Sequence, residues 1–191
     1  MAEPDQHATA GRARVSIAAL GTLAVVAVVV YVLDRVSKYL VIQNLELRQP
    51  VEVLGEFLKF YYVENPGAAF SLGSGSTWIF AIIAIAVAVF IVIFARRIRS
   101  TGWAVLFGLL LGGNLGNLTD RLTREPGFGV GHVVDFLQLY LFPAIFNIAD
   151  VAIVSSMGLF IILTLRGIGL DGKRVVRHPQ TVDKTVATDP S

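Results

Sequence analysis

The chain has 191 residues, 54% of them apolar and only 16% charged. Soluble domains carry about 25% charged residues, so this chain lacks the charge to cover a globule, and much of its surface must face lipid. Sixteen Lys and Arg against fourteen Asp and Glu leave a net charge of +2, too balanced for a nucleic-acid partner. With no Cys and three His, disulfides, thiolate zinc sites and a Cys nucleophile are excluded, an all-His centre has little to draw on, and neither metal nor cofactor is expected.

Four apolar stretches follow in chain order, at residues 15–33, 77–95, 103–121 and 144–165. The first two are uncharged; the third ends in Asn117, Asp120 and Arg121, and the fourth carries Asn147 and Asp150 near its start. Each is long enough to cross about 30 Å of hydrocarbon as a helix, the third only through its polar end. The first exceeds the apolar run of a signal peptide and meets no small-residue cleavage site before Asp34, so it reads as an uncleaved anchor. Ten basic residues fall before the first stretch, between the second and third, and after the fourth; the opposite side has Arg48, Lys59, Arg121 and Arg124, with Arg35 and Lys38 at the mouth of the first. The positive-inside rule therefore expects cytoplasmic tails at 1–14 and 166–191, a four-helix membrane domain at 15–165, and loops at about 42–76 and 122–143 facing outward. The N-terminal dozen residues and the tail from about Asp171 are polar and aperiodic, and disorder is expected there.

In the first outer loop, VEVL and FLKFYYV alternate and are rich in β-branched and aromatic residues, with Gly55 between them and Pro66-Gly67 after them. Short strands are expected, forming a small extracytoplasmic sheet on the membrane surface. The second outer loop contains VVDFLQLYLF, apolar but too short to span, which reads as interfacial or re-entrant. The expected fold is thus an all-α membrane protein of four transmembrane helices with a small β-sheet on the first outer loop.

Almost every ionisable residue in or beside a span lies at its outer end: Asp34 and Lys38, Asp120 and Arg121, Asp150, with His132 and Asp135 in the adjoining loop. A charge at a helix centre in a bilayer costs about 2.5–3.5 kcal/mol even on lenient scales, so this convergence points to a site just below the outer surface. Each member also has a plainer role. Asp34 and Lys38, spaced i, i+4, make a helical ion pair. Gly108, Gly112 and Gly116 put small residues on one helix face for close packing, and Asn117, Asp120 and Arg121 continue it as a buried network, with Arg121 or a neighbouring helix as partner to Asp120. Asn147-x-x-Asp150 after Pro143 is a capping pattern. Capping explains Asp150 less well than Asn147, and Asp135, in an apolar run with no Lys or Arg in the next fourteen residues, has no local ion partner.

Without Cys, a Ser-His signal or a metal cluster, the available chemistry is that of two neighbouring carboxylates. They cannot both ionise easily, so one activates water while the other, protonated, polarises a carbonyl and later protonates the leaving amine. From the residues alone, Asp34, Asp120, Asp135 and Asp150 all remain members of the possible pair.

DRVSK (Asp34–Lys38), ENPGAAFS (Glu64–Ser71), GGNLGNLTDR (Gly112–Arg121), VVDF (Val133–Phe136) and FNIAD (Phe146–Asp150), in this order, resemble the bacterial lipoprotein signal peptidases, the signal peptidase II family of membrane aspartic proteases. The resemblance implies a catalytic pair at Asp135 and Asp150. It further implies substrate contacts at Asn65, Gly67 and Phe70, and support from Asn117, Asp120, Arg121, Asn147, Asp34 and Lys38. It implies a bacterial inner membrane location, an active site near the outer face, membrane lipid around a monomer, and lipid-modified prolipoprotein substrates cut just before a diacylglyceryl-bearing Cys. Arg35 stands where Gln is usual, Asn114 where Ala is usual, and the stretch between Arg121 and Asp135 is longer than typical. Two other classes compete. A transporter would need a polar path to the other side, which the uncharged second stretch does not offer; a tetraspan scaffold would not need Asp135 in an apolar loop.

Overall fold

A computed structural model of the chain describes residues 15–67 and 77–174. Four long helices alternate with two β-hairpins: α1 (Ile17–Asn44), β1 (Pro50–Leu54), β2 (Leu58–Asn65), α2 (Thr77–Phe94), α3 (Thr101–Thr123), β3 (Val133–Leu139), β4 (Phe142–Phe146) and α4 (Ile148–Leu165). Phe70 and the expected disordered termini lie outside the described residues, apart from residues 171–174.

Three of these helices, α1, α2 with its C-terminal 3-10 turn, and α4, are long and apolar enough to cross a membrane. They present exposed aliphatic and aromatic side chains such as Val25, Val29, Ile83, Phe90, Val154 and Ile161, the surface of a chain solvated by lipid rather than water. The chain is a multi-pass membrane protein. The helix at the centre of the bundle is α3, packed against α1, α2 and α4. Its glycines make this possible: a Cβ on Gly112 would sit 2.6 Å from the Ala27 carbonyl oxygen, and one on Gly113 2.5 Å from that of Ala149. Gly108 meets Val26 and Gly116 meets Asp34, so the small-residue face expected from the sequence, Gly108, Gly112 and Gly116, brings α1 close to α3, while Gly113, outside that face, admits the backbone of α4. Asn114 adds a tether by donating to the Ala84 carbonyl of α2 at 2.7 Å.

The strands form one antiparallel sheet in the order β1-β2-β3-β4. It sits at the end of the bundle where α1 and α3 finish and α4 begins, and Val41 of α1 packs with Tyr62, Val134 and Phe136 beneath it.

Four expectations need correction. The first helix continues past residue 33 to Asn44, because Asp34 and Lys38 are buried and paired inside the bundle rather than marking its exit. The sheet draws on both loops rather than the first alone, because VVDFLQLYLF forms β3 and the turn into β4. Consequently α4 begins at Ile148 rather than at residue 144, since Phe142–Phe146 pairs with β3. Finally, residues 171–174 are folded: the Gly169 amide donates to the Lys173 carbonyl, and Ile168 bridges to Arg174.

Candidate active site

Asp135 lies in the buried first half of β3, opposite Val63 of β2. Asn65, opposite Val133, is its diagonal neighbour on the same sheet face, and its amide donates to Asp135 Oδ2 at 2.9 Å. The other oxygen, Oδ1, accepts from Asn147 Nδ2 at 2.7 Å. Asn147 is the N-cap of α4, and the capping box expected from Asn147-x-x-Asp150 forms. The Asp150 amide donates to Asn147 Oδ1 at 3.0 Å, and the Asn147 amide donates to Asp150 Oδ2 at 3.1 Å. One asparagine therefore holds both carboxylates, one through its side chain and one through its backbone. From α3, Asn117 donates to Asp150 Oδ1 at 2.9 Å and accepts from Asn147 at 3.1 Å.

Burial and the negative charge of Asp150 push Asp135 up to about 7, against the opposing pull of hydrogen bonds from Asn65 and Asn147 and the charge of Lys38. A carboxyl group ordinarily ionised near pH 4 thus retains its proton close to neutrality.

Behind the pair lies a second polar group. Lys38, fully buried, bonds to Asp34 at 2.9 Å, Asp120 at 2.8 Å and Asn117 Oδ1 at 2.9 Å. Asp34 also accepts from the Ala149 amide at 3.1 Å, next to Asp150, and Asp120 accepts from the Val134 amide at 3.3 Å, next to Asp135. Each supporting carboxylate therefore bonds the backbone one residue before a member of the pair. Asp120 binds Arg35 at 2.5 Å and Arg124 at 2.6 Å. Of the two partners expected for Asp120, the neighbouring helix supplies them, through Lys38 and Arg35 of α1, and Arg121 does not. Arg121 points elsewhere, donating to the Gly67 carbonyl at 2.5 Å with its guanidinium 5.1 Å from the centre of the Phe80 ring.

Asn65, Gly67, Arg121, Asn117, Asp135 and Asp150 line one end of a cavity of about 580 Å³. Its other walls are apolar, from Leu139, Phe142, Ile145 and Phe146 of the second hairpin and Val151 and Val154 of α4. A concave, mostly apolar cavity with a few convergent polar groups is the usual form of a binding site. The sequence-expected residues other than Phe70 thus gather in two connected layers, Asp135 and Asp150 on the cavity and Asp34 and Asp120 behind it. The residues missed were Arg35, Arg124 and Phe80. Arg124 carried a usable signal, four residues after Asp120 on the same helix face, whereas Phe80 carried none.

A sequence model of the family described as signal peptidase (SPase) II matches residues 26–166. A lipoprotein signal peptidase of Leifsonia xyli subsp. xyli is 63% identical over 171 residues, 90% of this chain and 79% of that protein. One of Streptomyces griseus subsp. griseus is 48% identical, over 88% of this chain and 84% of its own length. A bacterial membrane enzyme solved by the in meso method at 2.3 Å resolution superposes with a TM-score of 0.71 and 31% identity, covering 86% of this chain and 98% of that one. The arrangement of the strand-borne and helix-borne residues above is carried by a chain of matching sequence and fold, and the protein belongs to the signal peptidase II family of membrane proteases.

Proposed function

We propose that this chain is an intramembrane aspartic endopeptidase that removes the signal peptide from diacylglyceryl-modified prolipoproteins, cutting before the lipid-bearing Cys. The observation that carries this reading is the joining of Asp135 and Asp150 through Asn147 at the polar end of an apolar cavity. In this mechanism the pair shares one proton, and Asp135, whose neutral form burial and the charge of Asp150 favour, serves as its protonated member. Asp150 takes a proton from water, which attacks the scissile carbonyl carbon; Asp135 donates a hydrogen bond to the carbonyl oxygen as negative charge develops there. Collapse of the tetrahedral species breaks the C–N bond, and the amine leaves with a proton from the pair.

Arg121, Asn65 and Gly67 bound the cavity beside the carboxylates. Arg121 Nη1 is buried and has no hydrogen-bond partner among the described residues, a free donor for a substrate carbonyl. The apolar walls match a signal-peptide helix end and acyl chains, and the relatives named lipoprotein signal peptidase support that substrate class. The fourth crossing is assigned to α3, which is shielded by the other helices and so needs less apolarity of its own. Residues 15–165 then form the membrane peptidase domain of a monomer in the bacterial cytoplasmic membrane. Tails at 1–14 and 166–191 are cytoplasmic, and the sheet and active site lie at the outer face.

Purified protein in detergent, given a diacylglyceryl-modified precursor and its unmodified form, tests the function. Cleavage of the modified precursor alone is expected; no cleavage of either refutes the proposal. A reporter active only in the cytoplasm, fused after Ser191, is expected to be active, and an inactive but stable fusion refutes the orientation.

A further inference from the structure

At the end of the bundle away from the sheet, the segment after α4 folds back on the turn between α2 and α3. The amides of Arg99 and Ser100 both donate to the Leu170 carbonyl, at 2.9 and 3.0 Å, and the Trp103 indole donates to the Ile168 carbonyl at 2.9 Å. Arg174 Nε donates to the Arg166 carbonyl at 3.2 Å. These contacts carry Arg166, Lys173 and Arg174 to the same end as Arg96, Arg97 and Arg99. All six are exposed, and none is in an ion pair among the described residues. Among the described residues of this segment the one acid, Asp171, accepts from the backbone amide of Lys173 at 3.0 Å. Uncompensated like charges brought together repel, and an anion relieves them.

Beneath the cations, an aromatic chain links three helices. Phe90 stacks on Phe94 at 5.3 Å, Phe94 meets Phe107 of α3 at 6.1 Å, Phe107 stacks on Trp103, and Trp103 meets Phe160 of α4 edge-on at 5.9 Å. Arg97 lies 5.5 Å from the Phe94 ring centre and joins the two layers. Phe90 is 57% and Phe160 46% exposed, so the chain opens to the surroundings of the bundle at both ends. A positive rim over an aromatic floor that is exposed at its two ends and part-buried between them complements a molecule with the same two parts. We propose that this end binds an anionic phospholipid, its phosphate among the six cations and its acyl chains against the exposed Phe90 and Phe160 ends of that floor. The floor favours a lipid over free phosphate, which could use only the rim.

The test is native mass spectrometry of the full chain in detergent with phosphatidylglycerol and phosphatidylcholine of identical acyl chains. Preferential retention of phosphatidylglycerol is expected, falling by about fivefold for each cation neutralised among Arg99→Gln, Arg166→Gln and Arg174→Gln. The matching Arg→Lys variants retain the preference and keep the result interpretable if a Gln variant misfolds. In a Trp78→Phe background, Trp103 fluorescence is expected to respond to phosphatidylglycerol and not to inorganic phosphate. Equal retention of the two lipids, a preference that survives all three Gln substitutions in folded protein, or the same fluorescence response to phosphate alone would overturn the proposal.

Discussion

Asn147 reaches Asp135 across the junction of the sheet and α4, its amide 2.7 Å from the carboxylate. The same residue caps the helix that carries Asp150, so positioning and capping are separable by substitution. Asn147→Ser retains an oxygen acceptor for the Asp150 amide but loses the amide bridge, whereas Asn147→Ala loses both. Both variants are expected to lose about 10²-fold in turnover, the scale of a misplaced catalytic group. Only the Ala variant is expected to lose the capping stabilisation of about 1 kcal/mol. Cleavage kinetics and thermal unfolding in detergent separate the effects, and wild-type turnover in the Ser variant would remove the bridge from the account.

The pH dependence follows from Asp135. Its native value of about 7 exceeds the unfolded value near 3.9, so between these the native state binds the extra proton. Its contribution to stability is full below the unfolded value and is lost as pH rises towards 7. Thermal midpoints are therefore expected to fall as pH rises through that window, and less so in Asp135→Asn. In the proposed mechanism turnover uses the shared proton, so it is expected to decline on the alkaline side with an apparent value near 7, which belongs to the pair. A rate still rising at about pH 9 contradicts a shared proton.

Helix approach gives a third prediction. A Cβ on Gly113 would lie 2.5 Å from the Ala149 carbonyl oxygen, while one on Gly158 meets nothing within 4 Å. Gly113→Ala is expected to cost about 1–3 kcal/mol and to reduce cleavage by moving the first turn of α4, which bears Asp150. Gly158→Ala is expected to match wild type in both assays. Equal behaviour of the two variants would mean that α3 and α4 do not depend on this approach.

Much of this organisation was legible in the sequence because lipid solvation makes apolar runs long and charges expensive. That logic located α2, the glycine face of α3 and the convergence of Asp34, Asp120, Asp135 and Asp150. It failed where burial hides a pattern. Val133–Phe136 is buried throughout, so β3 lacks the alternation of a half-exposed strand and carries no strand signal in the sequence. Asp34 and Lys38 interrupt an apolar run in sequence but satisfy each other inside the bundle, so α1 runs on past them. The sequence alone sets Asp135 and Asp150 apart only by the weakness of their plainer roles and leaves all four aspartates open as members of the pair. Tertiary pairing separates them, since Asp34 and Asp120 are engaged by Lys38, whereas Asp135 and Asp150 receive amides and border the cavity.

That difference predicts distinct failures. Asp120→Asn removes the partner of Lys38, Arg35 and Arg124 together. Breaking a buried pair by removing one member costs about 3–5 kcal/mol, so a large loss of thermal stability or folded yield is expected. Arg35→Gln touches a contact whose arginine side chain is 28% exposed, and a much smaller loss is expected. Equal stability of Asp120→Asn and wild type would show that the buried network does not hold the site together.

Cleavage of diacylglyceryl-modified precursor by Asp135→Asn, Asp150→Asn and the double variant is the most direct measurement. Asn retains the volume and most hydrogen bonds of Asp but cannot exchange a proton near neutrality. Each single variant is expected to be folded, membrane-inserted and inactive, and the double variant scarcely worse than either, because the pair acts as one unit. Near wild-type cleavage by folded Asp135→Asn or Asp150→Asn would contradict the two-carboxylate mechanism.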